Sequence, residues 1–391
     1  MIRDPEQFQQ TLASIRRFVC EVAIPNERRI EKLDAVPQDL VDAMRAAGYF
    51  GWSIPEEYGG AGMTTEELAL ANMEISQASV AYRARVGSNT GIGSEALIHD
   101  GTDAQKRESL PRLASGEITG CFAVTEPDAG SDLLGGLETV ALPDGDHYVL
   151  NGTKRYITNA PIADLFTVLA RTDPQSRGAA ATTCFLIERG TPGLDVGEPH
   201  RKMGQAGSPV SEVYFKDCRV PASSILGGVP GKGFASVMKA LNKQRINLAA
   251  LCTGPAIRLL DEALAHARKR EQFGHPIADF QLVQAMLADC KIEIAAARAL
   301  ILETARKRDD GEDVTLDVSM CKLYASEMCG RVADRVVQIF GGAGYCGDIA
   351  DPIERFYRDV RLFRLYEGTS QIHQLNIAKL LLRGADGPAR R

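Results

Sequence analysis

The chain has 391 residues, enough for two or three domains with their own cores, and at 45% hydrophobic and 25% charged residues it reads as an ordinary globular protein. A formal charge of −6 argues against a nucleic-acid or anionic-membrane footprint. The nine cysteines are scattered without a CxxC pair or a His/Cys cluster, which predicts reduced thiols, a cytoplasmic protein and no metal site; no apolar stretch approaches a membrane span and the N-terminus does not read as a signal.

Residues 1–119 carry a helical pattern and are expected to form an all-helical N-terminal domain. Thr64-Thr65-Glu66-Glu67 and Thr102-Asp103-Ala104-Gln105 both have capping-box form, and each opens an amphipathic run. Within this region lies Ala81-Tyr82-Arg83-Ala84-Arg85-Val86-Gly87-Ser88. An arginine among apolar helix positions is costly without a partner. Helical spacing places Arg83 on one face with Val86, Gly87 and Thr90, where it projects beside small residues, and sends Arg85 elsewhere. A helix carboxylate such as Glu74 is the alternative partner for Arg83.

Between residues 120 and 229 the character changes to short β-type runs at 121–124, 147–150, 153–158, 165–170, 183–187 and 212–215. Asp144-Gly145 and Asn151-Gly152 are expected as hairpin turns. This predicts a β domain inserted between helical ones. In Phe122-Ala123-Val124-Thr125-Glu126-Pro127-Asp128-Ala129-Gly130-Ser131-Asp132 a strand ends at Thr125. The turn that follows leaves hydroxyls and backbone amides free for a polar ring edge or a phosphate, unless it is simply a decorated β-turn. Tyr156-Ile157-Thr158-Asn159 ends another strand with an aromatic beside a hydroxyl. That pair suits a flat cofactor, or an ordinary cross-strand contact.

Residues 230–391 are helical again, with apolar periodicity at 256–270, 280–308 and 315–340. Helices of this length predict a bundle that also packs against other subunits. Gly342-Ala343-Gly344-Tyr345-Cys346-Gly347 fits GxGxxG, but it follows a helix-like run and not a strand, so it is not read as a dinucleotide site. Gly231-Lys232-Gly233 lacks the spacing of a P-loop. The tail from Gly384 to Arg391 is expected to fray.

Tyr366-Glu367-Gly368-Thr369-Ser370-Gln371-Ile372 is the most informative string in the chain. It places one carboxylate on a glycine hinge just before a helix that opens at a hydroxyl-rich turn, an arrangement suited to removing a proton. Taken alone, the string could equally be a helix cap built on Thr369 or Ser370.

The order helical, β, helical, together with Pro55-Glu56-Glu57-Tyr58-Gly59-Gly60, Val124-Thr125-Glu126-Pro127, Ala129-Gly130-Ser131-Asp132, Tyr156-Ile157-Thr158, Gln272-Phe273-Gly274, Gln338-Ile339-Phe340-Gly341-Gly342 and Tyr366-Glu367-Gly368-Thr369, resembles the acyl-CoA dehydrogenase family across nearly the whole chain. The resemblance implies an α+β architecture: an N-terminal helical domain, a middle β-barrel or sandwich domain and a C-terminal four-helix bundle. It also implies FAD-dependent α,β-dehydrogenation of a CoA thioester. Carried over by motif, Glu367 would be the base, and its backbone N–H with a flavin ribityl hydroxyl would face the thioester oxygen, beside Gly368. Phe122, Val124, Thr125 and Thr158 would meet the isoalloxazine, Tyr156 would flank it where relatives usually carry Trp, and Ser131 would lie on the path of the CoA arm or flavin phosphates. Arg270, Gln272 and Phe273, with Gln338, Gly341 and Gly342, would grip the adenosine-diphosphate part of FAD from a neighbouring subunit of a homotetramer. Thr369 and Gln371 would close over the cofactor. Some branches place the base on the helix holding Asn242-Lys243-Gln244-Arg245; that slot here holds Gln244, which cannot act as one, and Arg245 lies near the active site or in a structural ion pair.

The Tyr82-Arg83 segment and residues 154–166 resemble the glutaryl-CoA dehydrogenase branch, in which a Tyr-Arg at this point binds the distal carboxylate of the substrate. Ser76 stands where that branch typically carries Glu, and Gly87 and Ser88 are small. The expectation is therefore a dicarboxylic acyl-CoA such as glutaryl-CoA, with a substituted succinyl-CoA of the benzylsuccinyl type or a plain short-chain acyl-CoA as alternatives. Electrons would leave to an electron-transfer flavoprotein; an acyl-CoA oxidase or a non-enzymatic flavin- or acyl-CoA-binding protein are the more distant readings.

Overall fold

The structure is a computed structural model that describes residues 1–382, so the tail expected to fray lies outside the described residues. The first part is helical: α1 (Pro5–Phe18), α2 (Glu27–Leu33), α3 (Gln38–Ala46), α4 (Thr65–Ile75), α5 (Val80–Gly87), α6 (Glu95–Asp100) and α7 (Asp103–Ala114). Both predicted capping boxes are present, Thr64 with Glu67 at the start of α4 and Thr102 with Gln105 at the start of α7. Phe18 meets the rings of Tyr49 and Tyr82 edge-on at 5.2 and 5.9 Å, and this aromatic knot closes the N-terminal core. Nearly every residue of α4 is buried, because it is wedged between this core and the C-terminal helices.

The middle part is a seven-stranded sheet of β1 (Gly120–Ala123), β2 (Val140–Asp144), β3 (His147–Thr158), β4 (Leu165–Arg171), β5 (Thr182–Glu188), β6 (Leu194–Val196) and β7 (Val210–Pro221). The strands run β1-β4-β2-β3-β7-β6, with β5 on β4; β4 joins β1 along its first half and β2 only at Arg171, so the sheet curls around its apolar core. Asp144 pairs with His147 across the expected hairpin turn, where Gly145 takes φ +63°.

Asn151-Gly152 is a correction: it does not turn the chain. β3 runs straight through it, with a register shift against β7 between Leu150 and Gly152. The Asn151 side chain accepts the amide of Asp217 at 2.9 Å in place of a ladder bond. A Cβ on Gly152 would come within 2.4 Å of Thr139 Oγ1, so the glycine serves close strand packing at a bulge.

The third part comprises α8 (Gly233–Lys269), a small hairpin of β8 (Glu271–Gln272) and β9 (His275–Pro276), α9 (Gln281–Asp309), α10 (Thr315–Phe340), the single turn α11 (Gly342–Tyr345), α12 (Ile353–Val360) and α13 (Ser370–Leu382). α8, α9 and α10 pack against one another, and α12 and α13 lie on α10. α8 begins well before the periodicity at 256. From Gln244 to Ala256 every position is buried, so no polar stripe marks this stretch, which includes Pro255. Gly254 lets it cross α4, since a Cβ there would fall 2.2 Å from Ser76 Oγ. The GxGxxG string follows α10 and opens only α11.

Candidate active site

Glu367 lies in the short link between α12 and α13, in the left-handed conformation at φ +54°, and Gly368 follows at φ +97°. Thr369 Oγ1 accepts the amide of Ile372 at 3.2 Å, so the cap foreseen for α13 exists alongside the carboxylate and not instead of it. The residue as a whole is half-buried, but Glu367 Oε2 is wholly shielded from solvent and has no hydrogen-bond partner in the protein. Burial raises its pKa to about 7; Arg83, Lys322 and Arg245, and to a lesser degree the Gln244 amide, hold it down. A carboxylate poised near neutrality with one free oxygen is equipped to take a proton at physiological pH.

Glu367 lines a cavity of about 510 Å³ between α5, α8, the sheet and the α12–α13 link. Of the residues singled out from sequence, the cavity gathers Arg83, Phe122, Val124, Thr125, Ser131, Tyr156, Thr158, Arg245, Glu367 and Gly368. Its walls are largely apolar, with hydroxyls from Thr125, Ser131 and Thr158 on the β side, which is the donor set that the edge of a flat heteroaromatic ring requires. An isoalloxazine fits this lining. Tyr156, 63% exposed and at φ +60°, stands on the open side.

Arg83 is 7% exposed, and its Nε–H donates to Asn72 Oδ1 at 3.2 Å. Glu74, its alternative partner, is taken by Arg16 at 2.6 Å. Among the described residues no carboxylate lies in ion-pair range of Arg83; burial lowers its pKa and the field of Glu367 opposes that. Gly87 is what admits it: a Cβ there would lie 2.2 Å from the Arg83 guanidinium. Tyr82, by contrast, turns into the N-terminal core and donates to the Ala23 carbonyl at 3.0 Å. Arg85 lies over the Phe50 ring and bonds Thr119, away from the cavity. Arg245 donates to Asn242 Oδ1 at 2.9 Å, its Nε is buried without an acceptor, and the negative group in its field is Glu367.

Eight predicted cofactor residues do not line this cavity. Arg270, Gln272 and Phe273 lie at the end of α8 and on the hairpin beyond it, and Gln338, Gly341 and Gly342 lie at the end of α10. A stack of His266 on Phe340 with centroids 4.0 Å apart brings the two groups together into a separate cluster, and Phe273 is 92% exposed there. Thr369 and Gln371 also stay outside the lining, at the start of α13.

Sequence reasoning missed several supports. Lys154 and Glu126 form a fully buried pair at 2.6 Å, and the two Glu126 oxygens also accept the amides of Glu138 and Thr139, which pins the strand end carrying Val124 and Thr125. Asn159, at φ +61°, donates to the Ala84 carbonyl and to Ser88 Oγ, tying the end of β3 to the helix of Arg83. Lys322 and His373 reach the Gly368 and Glu367 carbonyls. Only the Asn159 conformation had a local signal, since Asn tolerates left-handed backbone.

Comparison with known proteins places this geometry among relatives. Residues 5–117, 121–218 and 231–382 match the profiles described as acyl-CoA dehydrogenase N-terminal, middle and C-terminal domains. The caffeyl-CoA reductase–Etf complex subunit CarC of Acetobacterium woodii is 37% identical over 90% of this chain and 92% of its own. The structure of butyryl-CoA dehydrogenase from Megasphaera elsdenii superposes with a TM-score of 0.93 at 34% identity, covering 98% of this chain and 100% of that one. A glutaryl-coenzyme A dehydrogenase in complex with glutaryl-CoA superposes with a TM-score of 0.92 at 34% identity, covering both chains fully at 100%.

Proposed function

The chain belongs to the acyl-CoA dehydrogenase family of FAD-dependent oxidoreductases, and from that premise we propose that it dehydrogenates an acyl-CoA whose acyl chain ends in a carboxylate, to the trans-2-enoyl-CoA. Glu367 takes the α-proton. FAD, when bound, supplies the acceptor for the β-hydride. Thr125 and Thr158 would hold the flavin edge, Phe122, Val124 and Tyr156 would flank the ring, and Ser131 would meet the phosphates or the CoA arm; all six line the cavity. An α-C–H beside a thioester is only weakly acidic, so the Glu367 N–H, offered to the thioester oxygen next to Gly368, stabilises the charge as the proton leaves. Substrate filling the cavity expels water and keeps the carboxylate basic.

The observation that carries the substrate class is Arg83: a buried guanidinium without a carboxylate partner, in the same cavity as Glu367. Such a group is costly to bury alone and is satisfied by a carboxylate from the ligand. Gly87 and Ser88 beside it leave space that also suits a substituted succinyl-CoA. The exposed cluster of Arg270, Gln272, Phe273, Gln338, Gly341 and Gly342 serves the cofactor of a second copy in a homotetramer, and an electron-transfer flavoprotein takes the electrons. No helix among the described residues is long and apolar enough to cross a membrane.

Anaerobic bleaching of the flavin by glutaryl-CoA, benzylsuccinyl-CoA and butyryl-CoA tests this in wild type and Arg83→Ala. Bleaching by the dicarboxylic esters, lost in the variant, is the expected result. Equal bleaching by butyryl-CoA, untouched by the substitution, would leave a short-chain dehydrogenase.

A further inference from the structure

Two buried cationic or basic side chains converge on the backbone of the base, and neither has another evident purpose. Lys322, on α10, is 0% exposed; its ammonium donates to the Gly368 carbonyl at 2.6 Å. His373, one turn into α13 and also 0% exposed, contacts the Glu367 carbonyl with Nε2 at 3.2 Å. A lysine buried only to pack the core would be replaced at no loss by leucine or methionine, because burying an ammonium is expensive. No carboxylate lies in ion-pair range of Lys322 among the described residues, so its ligand is the loop itself.

The geometry explains what the loop gains. Glu367 stands at φ +54°, a conformation that a side-chain-bearing residue adopts only under constraint from its surroundings. The Glu367 carbonyl orients the peptide plane between residues 367 and 368, and the Gly368 carbonyl orients the next. With each carbonyl held by a donor from a different helix, neither plane can flip. Gly368 itself must lack a side chain, since a Cβ would fall 2.8 Å from His373 Nε2. The bond to a carbonyl needs a proton on His373 Nε2. Burial, reinforced by Arg245 and Lys322, lowers the imidazole pKa to about 3 and keeps the ring neutral, with Nδ1 buried and unpartnered.

We propose that Lys322 and His373 are positioning residues: they clamp the Glu367 and Gly368 carbonyls and thereby aim the Glu367 carboxylate into the cavity. The proposal rests on the reading of Glu367 as the base. Lys322 adds a second effect through its charge. The groups facing Glu367 are Arg83 from α5, Gln244, Arg245 and Cys252 from α8, Lys322 from α10, His373 from α13 and Tyr366 on its own link. Removing one positive charge from this set destabilises the carboxylate and moves its ionisation to higher pH.

The test compares Lys322→Met, Lys322→Arg, His373→Leu, His373→Gln and Glu367→Gln as FAD-loaded enzymes, by pH profile, FAD content and crystal structure. Lys322→Met is expected to keep its FAD and a KM within about threefold, to lose ten- to a hundredfold or so in kcat, and to move the ascending limb of kcat/KM by roughly one pH unit to the alkaline side. Lys322→Arg, which keeps charge and donor, restores kcat to within about threefold; His373→Gln, which keeps a donor, outperforms His373→Leu. In the crystal, Glu367 of Lys322→Met and His373→Leu leaves its positive φ. Glu367 unmoved in both, with wild-type pH profiles, would overturn the clamp. Should Lys322→Met fail to fold, the His373→Leu and His373→Gln pair decides by the same readouts. Full turnover by Glu367→Gln would instead remove the base assignment, while the backbone conformation of the other variants would still report on the clamp.

Discussion

A glycine beside an arginine and a carboxylate beside a glycine carry most of the specificity and chemistry argued for this chain. Gly87 has no special backbone angle, yet a Cβ there would be 2.2 Å from the Arg83 guanidinium. Gly87→Ala should therefore push Arg83 off its position and raise KM for glutaryl-CoA by about ten- to a hundredfold, the loss of one charge-assisted bond pair, while butyryl-CoA kinetics stay nearly unchanged. Steady-state kinetics with both esters check it. Glu367 leaves a thermodynamic signature as well. Its pKa rises from 4.5 unfolded to about 7 folded, so between those values the folded state binds more protons and stability falls as pH rises. The penalty is complete about a pH unit above 7 and amounts to roughly 3 kcal/mol. Glu367→Gln removes it: the variant should melt above wild type at pH 8 and close to it at pH 4.5, by calorimetry of the free enzyme. A gap independent of pH would show that the carboxylate is not held in its raised state.

Individual elements are joined by buried charge in places where sequence shows only scattered polar residues. Arg355 on α12 is 3% exposed; it meets Glu27 of α2 at 2.8 Å and lies 3.7 Å from Asp359. Burial lifts Glu27 to about 7 and Asp359 to about 6, with Arg355 opposing in both cases. Arg355→Met would strand two buried acids and should cost about 3–5 kcal/mol in urea unfolding, with part regained at acid pH as the carboxyls protonate. A change below about 1 kcal/mol would mean that the pair is solvated. The same scale explains why the helical and β elements were legible to different degrees. The capping boxes at Thr64 and Thr102 and the Asp144-Gly145 turn depend on neighbours in sequence, and they formed as read. Asn151-Gly152 has the same local chemistry as a turn, but the pairing of β3 with β7 on one side and Thr139 on the other outweighs it. The middle of α8 was hidden because the stretch Gln244–Ala256, buried on all sides, has no periodic polar face.

At the level of the whole molecule, the described residues enclose the cavity lined by Glu367 and leave an exposed aromatic and polar cluster that does not line it. Phe273 at 92% exposure, on a hairpin next to Phe280, is an expensive surface for an isolated chain. Phe273→Asp should yield a smaller assembly by light scattering and a preparation depleted in FAD, if that cluster completes the cofactor site of a second copy. A variant with wild-type mass and full yellow colour would remove the shared-site proposal.

Sequence by itself determined the order of helical, β and helical parts, the place of Glu367 as the carboxylate on a glycine hinge before a capped helix, and the strand end at Thr158, whereas the strand expected to end at Thr125 stops at Ala123. These follow from local periodicity, turn chemistry and contiguous motifs, which are properties of neighbours along the chain. Only the tertiary structure decided that Arg83 faces the cavity of Glu367 while Tyr82 turns into the N-terminal core, that Glu74 is already taken, and that Lys322 and His373 close on the loop of Glu367. Those facts depend on which helices cross and at what distance, and on which charges remain unpaired after burial. Residues hundreds of positions apart set such quantities together, and no window of sequence contains them.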